Sequence, residues 1–201
     1  QKLMTDSPWA RRVEIRLDEP GWAARSTREG GSTSTEEPAE AGAMPGGGRE
    51  DRGLEGRFKT YTVQWWSARV VRQAAVRVRQ LQGSLTAAQA EQFLAVRPSH
   101  YIIAVFAQTM KDFEGLSAEE LKAKTHLKVK KQKVAPEQVN FLRGPGERLR
   151  AVEFYFARQA EGQPLISPEE KSVEFRVELE KEIIHAKFDL RRMQVGGELD
   201  L

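Results

Sequence analysis

Lysine is concentrated in one short stretch, residues 121–133, which reads LKAKTHLKVKKQK and contains no acidic residue. If the second part of this stretch is a strand, alternation places Lys128 and Lys130 on one face together with His126. Such a row of ammonium groups suits an anionic surface, whether lipid headgroups, lipopolysaccharide or nucleic acid. Lysines also protect the edge of a sheet from pairing with another chain, and this protective role is the preferred interpretation. The candidate anion-binding lysines are Lys124, Lys128, Lys130, Lys131 and Lys133.

Arginine recurs directly after two tryptophans in the stretch YTVQWWSARVVRQAAVRVRQ, residues 61–80. Arginines there could contact phosphates while an indole ring stacks on a base, which makes nucleic-acid binding by Trp65–Arg79 one alternative function. Trp65, however, shares its strand face with Tyr61 and Val63, and this position predicts a core residue. Arginine stems also cover apolar surface while their charges stay in water, so the structural interpretation is preferred. The candidate anion-binding arginines are Arg69, Arg72 and Arg79.

The histidines, glycines and cysteines predict no metal, cofactor or phosphate site. His100, His126 and His185 stand far apart, and no HExxH, GxSxG or P-loop spacing occurs. The chain contains no cysteine, which excludes disulfides, thiolate catalysis and cysteine-ligated metals. We therefore predict no cofactor, no metal and no catalytic residue.

Several carboxylates in the second half of the chain alternate with apolar neighbours, which predicts strand residues that face solvent. They are Glu153, Glu174, Glu178 and Asp189. A hydrolase that assembles such dispersed carboxylates from several strands is a weaker alternative function, because two acids at the right separation suffice for general acid and base chemistry.

Composition bounds the class of protein. Of the 201 residues, 39% are hydrophobic, which is enough for one substantial core. The 32 basic and 29 acidic residues leave a formal net charge of +3, so the charge balance alone gives little support for a polyanionic partner. The longest apolar run, YIIAVFA at residues 101–107, is much shorter than the roughly 18 residues of a membrane helix, and no transmembrane segment is predicted.

A low-complexity segment divides the chain. Residues 23–57 are rich in Gly, Ser, Thr, Glu and Pro without apolar periodicity, which is typical of a disordered insertion. Residues 1–22 contain a helix end and a first strand, RRVEIRLDE, and residues 58–201 form the main β-rich domain, with which residues 9–22 are expected to pack. The first strand and the next one, FKTYTVQWW, are expected to pair as a hairpin whose connection holds the insertion.

The pattern after residue 66 predicts two helices, a buried strand, a third short helix and then a run of strands. An apolar stripe from Val71 to Leu81 recurs at helical spacing. Because no long helix separates the later strands, we expect an α+β fold with mainly antiparallel pairing, a β-sandwich with two or three inserted helices. Helix starts are expected at Ser67 and at the capping boxes of Thr86 with Gln89 and of Ser117 with Glu120.

Four motifs, LMTDSPW, VQWWSARVVRQA, YIIAVFAQ and the tail from ISPEEKSVEF to GGELDL, together resemble a bacterial family of small exported proteins for which no activity is established. Leu3, Ser7, Pro8 and Trp9 match the family's lead, and Trp65, Ser67 and Arg72 match its central motif. A proline is usual after the SA of that motif, where this chain has Arg69 and Val70. The resemblance implies a signal peptide in the precursor and a periplasmic or envelope location.

The leading expectation is a non-enzymatic envelope or periplasmic module, with a binding or structural role, rather than an enzyme. Its partner would be another envelope protein or an anionic lipid or polysaccharide, contacted through the lysine stretch and the arginines. Nucleic-acid binding and hydrolysis are the two alternatives that the residues leave open.

Limited proteolysis of the native protein should cut first between residues 24 and 57, because a disordered segment is accessible to a protease. Mass spectrometry of the earliest fragments locates the cut. A first cut inside residues 58–201 would contradict this division of the chain.

Overall fold

The computed structural model describes residues 7–16, 58–160 and 162–201, so the predicted helix end before residue 7 and the predicted insertion at 23–57 lie outside the described residues. The strands are β1 (Ala10–Arg16), β2 (Phe58–Trp65), β3 (His100–Ala107), β4 (Thr125–Val129), β5 (Gln132–Val134), β6 (Gln138–Arg143), β7 (Leu149–Ala157), β8 (Gln159–Ala160), β9 (Gln163–Pro164), β10 (Ser172–Glu178), β11 (Ile183–Asp189), β12 (Gln194–Val195) and β13 (Glu198–Leu199). The helices are α1 (Arg69–Leu81), α2 (Ala87–Ala95) and α3 (Ala118–Ala123).

Most strands belong to two open antiparallel sheets. The larger sheet has the order β1–β2–β3–β7–β6, and the smaller sheet has the order β11–β10–β4–β5. Two short pairs, β8–β9 and β12–β13, complete the strands of the described chain. Helices α1 and α2 lie between β2 and β3 in the chain, and α3 lies between β3 and β4. The predicted strand-rich fold with antiparallel pairing and inserted helices is therefore confirmed.

The first two strands pair as predicted. β1 runs antiparallel to β2, with Val13 opposite Tyr61 and Ile15 opposite Lys59. Val13, Ile15 and Tyr61 are buried, because the alternation of each strand turns these side chains towards the same interior.

Side chains of both sheets meet in one hydrophobic core. Trp65 on β2 is fully buried, and its ring makes edge contacts with Tyr101 on β3 and Phe188 on β11 at centroid distances of 5.7 and 5.4 Å. A second contact joins Phe154 on β7 to Phe175 on β10 at 5.3 Å. Edge-to-face aromatic pairs are favourable beyond their buried area, so these rings hold the two sheets together. The prediction that Trp65 is a core residue is confirmed.

Helix α1 does not begin as predicted. Its N-cap residue is Ala68, which offers no side-chain hydrogen bond, and the hydroxyl of Ser67 instead accepts a hydrogen bond from the backbone N–H of Ile102. The carboxylate of Asp200 accepts the free backbone N–H groups of Arg69 and Val70 at 2.6 and 2.9 Å. A carboxylate suits this end of a helix, where unpaired N–H groups and the helix dipole favour negative charge.

The other two helix starts are confirmed. Thr86 and Gln89 form a complete capping box at α2, and Ser117 and Glu120 form one at α3. Each box satisfies backbone N–H groups through residues three positions apart, so a local sequence pattern is sufficient to predict it.

The apolar stripe of α1 is only half buried. Val71 is packed in the core and Val76 is buried, but Val78 and Leu81 are exposed at 43% and 72%. The predicted stripe at helical spacing is therefore present, but its last turn faces solvent and not the core. Beyond Val76, Gln80 is the only residue of α1 that is even half-buried.

The lysine stretch is a hairpin, so the single strand that would place Lys128 and Lys130 on one face is not formed. β4 ends at Val129, Lys130 and Lys131 form the turn, and β5 returns with Lys133 opposite Lys128. Lys130 has a φ of 56°, a left-handed conformation that favours glycine. Because the turn contains no glycine or asparagine, the usual sequence signature of a two-residue hairpin is missing.

Replacing Trp65 with alanine should lower the free energy of unfolding by about 3–5 kcal/mol, because the truncation leaves a cavity where two sheets meet. Denaturant unfolding followed by circular dichroism measures the change. The control is Leu81→Ala at a position that is 72% exposed, which should cost less than about 0.5 kcal/mol. Equal effects of the two substitutions would contradict the assigned position of Trp65.

Candidate functional site

The solvent-facing side of the smaller sheet carries most of the lysines that the sequence singled out. One row of side chains crosses all four strands, because Lys133 stands opposite Lys128, Lys128 opposite Glu174, and Glu174 opposite Lys187. Neighbouring strands lie about 4.8 Å apart, so the row spans about 14 Å. It presents three ammonium groups and one carboxylate.

A second row lies beside the first. Arg176 on β10 stands opposite His126 on β4 and opposite His185 on β11, so the guanidinium lies between two imidazole rings. The residues between these outward positions along the strands, such as Leu127 and Phe175, are fully buried. The outward row is thus a direct consequence of strand alternation over an apolar core. We call the outward residues of these two rows the basic face: Lys128, Lys133, Arg176, Lys187, His126 and His185, with Glu174 among them.

Only part of the positive charge on the basic face is neutralised. Lys128 is 3.5 Å from Glu174, and Arg176 is 3.0 Å from Glu178 at the end of β10. Across the described ranges, no ion pair involves Lys133 or Lys187, and both side chains are exposed. These two lysines mark the two edges of the sheet and are available to an external anion.

Burial and neighbouring charges shift the pKa values of His126 and Glu174 on the basic face. Burial lowers the pKa of His126 below its ordinary value of 6.5, and the positive charges of Lys133 and Arg176 lower it further, while Glu178 opposes them. Burial would raise the pKa of Glu174, but Lys128 and His185 outweigh that effect, and the pKa lies below its ordinary value. At neutral pH His126 is therefore uncharged and Glu174 is ionised.

The turn of the β4–β5 hairpin borders a shallow groove of about 400 Å³. Lys130 at the turn forms a 2.6 Å ion pair with Glu170, and this partner raises the pKa of Lys130. The groove alternates ammonium and carboxylate groups and has no net preference for an anion. Its lining residues are Lys128, Lys130, Glu169, Glu170, Lys171, Ser172 and Glu174.

The remaining predicted lysines flank the same hairpin. Lys124 directly precedes β4, where its backbone carbonyl accepts a hydrogen bond from Glu178 on β10, and Lys131 completes the turn. Both side chains are exposed. The structure therefore brings Lys124, Lys128, Lys131 and Lys133 to one hairpin, with Lys130 tied to Glu170.

The predicted arginines lie elsewhere, on helix α1. Arg69 and Arg79 are exposed at opposite ends of the helix. Arg72 is buried to 7% exposure, stacks over the ring of Phe93 at 4.7 Å and donates a hydrogen bond to the backbone carbonyl of Phe93. Arg72 thus joins α1 to α2 and does not present its charge to solvent.

The two tryptophans that precede α1 do not form an exposed stacking platform. Trp65 is enclosed in the core, and Trp66 is half-buried with its ring 5.9 Å from that of Phe106. Stacking of a nucleic-acid base on Trp65 would require the core to open.

The carboxylates of the later strands differ in position. Glu174, Glu178 and Asp189 are at least partly accessible on the smaller sheet, as predicted. The prediction is wrong for Glu153, which is 6% exposed and accepts a hydrogen bond from the hydroxyl of Tyr155 at 2.7 Å. Burial, followed by this hydrogen bond and the charge of Glu153, raises the pKa of Tyr155 to about 12.

A further polar cluster, which the sequence did not indicate, ties the larger sheet to the β10–β11 connection. Lys59 on β2 donates a hydrogen bond to Glu182 at 2.9 Å and also contacts Asp112. The buried hydroxyl of Tyr61 donates to Asp112 at 2.8 Å and contacts Glu182. Burial, followed by the hydrogen bond and charge of Glu182, holds the pKa of Tyr61 far above its ordinary value, so this phenol stays protonated and serves as a donor. The polar groups of these four residues find their hydrogen-bond and ion-pair partners within the cluster, so we assign the cluster a structural role.

Arg176, His185 and Lys187 are the members of the basic face that sequence reasoning did not place on a binding surface. Their strands also carry outward carboxylates, Glu174 and Glu178 on β10 and Asp189 on β11, so no local charge run marks them. The register of β10 with β4 and β11 brings them beside the lysine hairpin.

Comparisons with protein-family models, with curated proteins and with solved structures found no match to this chain. Within the part of the chain that the structure describes, no helix is long and apolar enough to cross a membrane. The described ranges also contain no group of three or more histidine and carboxylate side chains placed to hold a metal ion. The geometry of the basic face therefore carries the functional argument.

The titration of His126 tests the electrostatics of this face. The measured pKa should lie below 6.5, and Lys133→Gln should raise it, because the substitution removes a positive charge that disfavours the imidazolium. Glu178→Gln should lower it, since it removes the opposing negative charge. Histidine chemical shifts in a pH series measure all three proteins. Shifts of the same sign in both variants would contradict the assigned arrangement.

Proposed function

We propose that this protein is a non-enzymatic binding module of the bacterial envelope or periplasm, which contacts an extended anionic surface through its basic face. The observation that supports the proposal most directly is the row Lys133, Lys128, Glu174 and Lys187, in which three ammonium groups face solvent beside a single carboxylate. A flat array of this kind suits a surface or a polymer with repeated negative charges more than a single small anion.

The distribution of charge, and not its total, favours an anionic partner. The whole chain has a formal net charge of only +3, so a non-specific attraction of the entire molecule is weak. On the basic face, by contrast, Lys133 and Lys187 have no carboxylate partner among the described residues. A lysine near an anionic surface contributes about 1 kcal/mol, and such contributions fade beyond a Debye length of about 8–10 Å.

Edge protection and anion binding are compatible roles for the same lysines. β5 is the edge strand of the smaller sheet, and its exposed Lys133 discourages pairing with another chain. Lys187 lies on β11, at the opposite edge, and extends the positive charge across the sheet. Edge protection alone does not account for the central Arg176 with its flanking histidines.

The scaffold that carries the basic face is, in our proposal, a β-sandwich. The ring contacts of Trp65 with Phe188 and of Phe154 with Phe175 support this arrangement, because each contact joins one sheet to the other. The outer side of the smaller sheet then forms one broad surface of the module.

Binding to heparin, to a DNA duplex and to vesicles that contain phosphatidylglycerol tests the proposal. The parent protein should bind at least one of these probes, and the affinity should fall as salt rises. Lys133→Gln with Lys187→Gln should weaken that binding roughly 30-fold, since two lysines at about 1 kcal/mol each are lost. Both side chains are exposed, so the fold should be unaffected.

The matched control is Lys111→Gln with Lys181→Gln, which removes the same charge from two exposed lysines away from the basic face. The control should keep nearly the affinity of the parent. Absence of binding to all three probes at low salt, or equal losses in the two double variants, would overturn the proposal. Preference for DNA over the other probes would instead favour the nucleic-acid alternative.

A further inference from the structure

Helices α1 and α2 are the most one-sidedly basic part of the described structure outside the smaller sheet. Residues 68–99 contain five arginines, a single acidic residue, Glu91, and no lysine or aspartate. Apart from Arg72, which is buried, these arginines are exposed: Arg69, Arg77, Arg79 and Arg97. An excess of guanidinium groups on a helix pair favours a partner that carries phosphate groups.

The same helix pair also exposes large apolar side chains. Of the seven large hydrophobic residues that are exposed in the described chain, four belong to the helix pair and the residue that follows it. They are Val78 at 43%, Leu81 at 72%, Phe93 at 42% and Val96 at 67%. Arg72 covers one side of the Phe93 ring, whereas Val78, Leu81 and Val96 leave much of their apolar surface in water, which is unfavourable.

The last turns of α1 combine both features. Successive residues of a helix are rotated by about 100°, so Val78 and Leu81 lie about 60° apart on one side. Arg77 lies about 40° from Leu81, and Arg79 lies about 100° from Val78 on the other flank. Two apolar side chains are therefore bordered by a guanidinium on each side, as in helices that lie in the interface of a membrane.

The start of α1 is packed against the rest of the protein, whereas its last turn, with Val78 and Leu81, does not contact the core. Asp200 accepts the first N–H groups of α1, Val71 is packed in the core, and Arg72 joins α1 to α2. The connection after α1, residues 82–84, is exposed. The apolar end can thus meet a partner without any loss of core packing.

We infer that the end of the α1–α2 pair inserts into the headgroup region of an anionic lipid bilayer, with Val78 and Leu81 among the upper acyl chains and Arg77 and Arg79 on lipid phosphates. This inference rests on the proposed function and names its anionic surface as lipid. Charge complementarity selects an anionic partner. Aliphatic side chains such as Val78 and Leu81 then favour lipid over a polysaccharide or a nucleic-acid duplex, because the outer surface of either polymer is mainly polar.

Vesicle sedimentation with mixed phosphatidylglycerol and phosphatidylcholine, with heparin as a lipid-free polyanion, tests the inference. Val78→Ser with Leu81→Ser should weaken vesicle binding on the order of tenfold, because apolar burial is lost, and should leave heparin binding unchanged. Arg77→Gln with Arg79→Gln should also weaken vesicle binding, and more so at low salt. All four positions are exposed, so these variants should fold like the parent.

The matched control is Leu142→Ser with Val195→Ser, which removes one leucine and one valine that are exposed at 39% and 51% elsewhere on the protein. It should bind vesicles like the parent. A second readout uses the absence of cysteine from the chain: Leu81→Cys with a polarity-sensitive dye should report an apolar environment on vesicles, whereas Val195→Cys should not.

Parent-like vesicle binding by the Val78 and Leu81 variant, or no dye response at Leu81, would overturn the inference. If Lys133→Gln with Lys187→Gln still loses binding in that case, the basic face stands as the anion-binding surface without the helix pair. If the parent binds none of vesicles, heparin and DNA, the inference and the proposed function both fail.

Discussion

The ring contacts of Trp65 with Tyr101 and Phe188 are the interaction on which the rest of the structure depends, because they join β2, β3 and β11 across the two sheets. The indole N–H of Trp65 has no hydrogen-bond partner among the described residues, which costs about 1–3 kcal/mol. Dense aromatic packing must outweigh that cost. One side of β10 and β11 packs in this core. Because side chains alternate along a strand, every second residue of the two strands then faces solvent, and these residues form part of the basic face.

Two surfaces of the molecule concentrate positive charge, and they do so with different chemistry. The smaller sheet presents mainly ammonium groups such as Lys133 and Lys187, which act as hydrated point charges at fixed spacing. The helix pair presents guanidinium groups such as Arg77 and Arg79 beside exposed Leu81. The basic face offers only charged and polar groups to a partner. The helix pair offers both guanidinium groups and apolar side chains, so it can also contact a hydrocarbon region. A bilayer that contains anionic lipid would satisfy both.

Residue patterns that act over short range were sufficient to predict much of the fold. The capping box of Thr86 with Gln89 and the alternation around Trp65 are local, and the structure agrees with both. Ser67 failed as a helix cap because the anion that serves α1, Asp200, is 131 residues away from Arg69 in the chain. The turn at Lys130 contains no glycine, so no residue pattern indicated the β4–β5 hairpin. Likewise the basic face could be predicted only as far as the lysines of the β4–β5 hairpin, since the register that adds Arg176 and Lys187 is a tertiary property.

The capping of α1 by Asp200 affects how fast the chain folds. The backbone carbonyl of Asp200 also accepts the indole N–H of Trp9 at 2.7 Å, across a sequence separation of 191 residues. A single short segment therefore closes both the entry to β1 and the first turn of α1, two elements that precede it in the chain by 191 and 131 residues. Such distant closures carry a large loop entropy and slow the search for the native state. A nascent chain of this protein keeps the first turn of α1 without its carboxylate cap until residue 200 has emerged, so the native helix start forms only after the strands of both sheets have been synthesised.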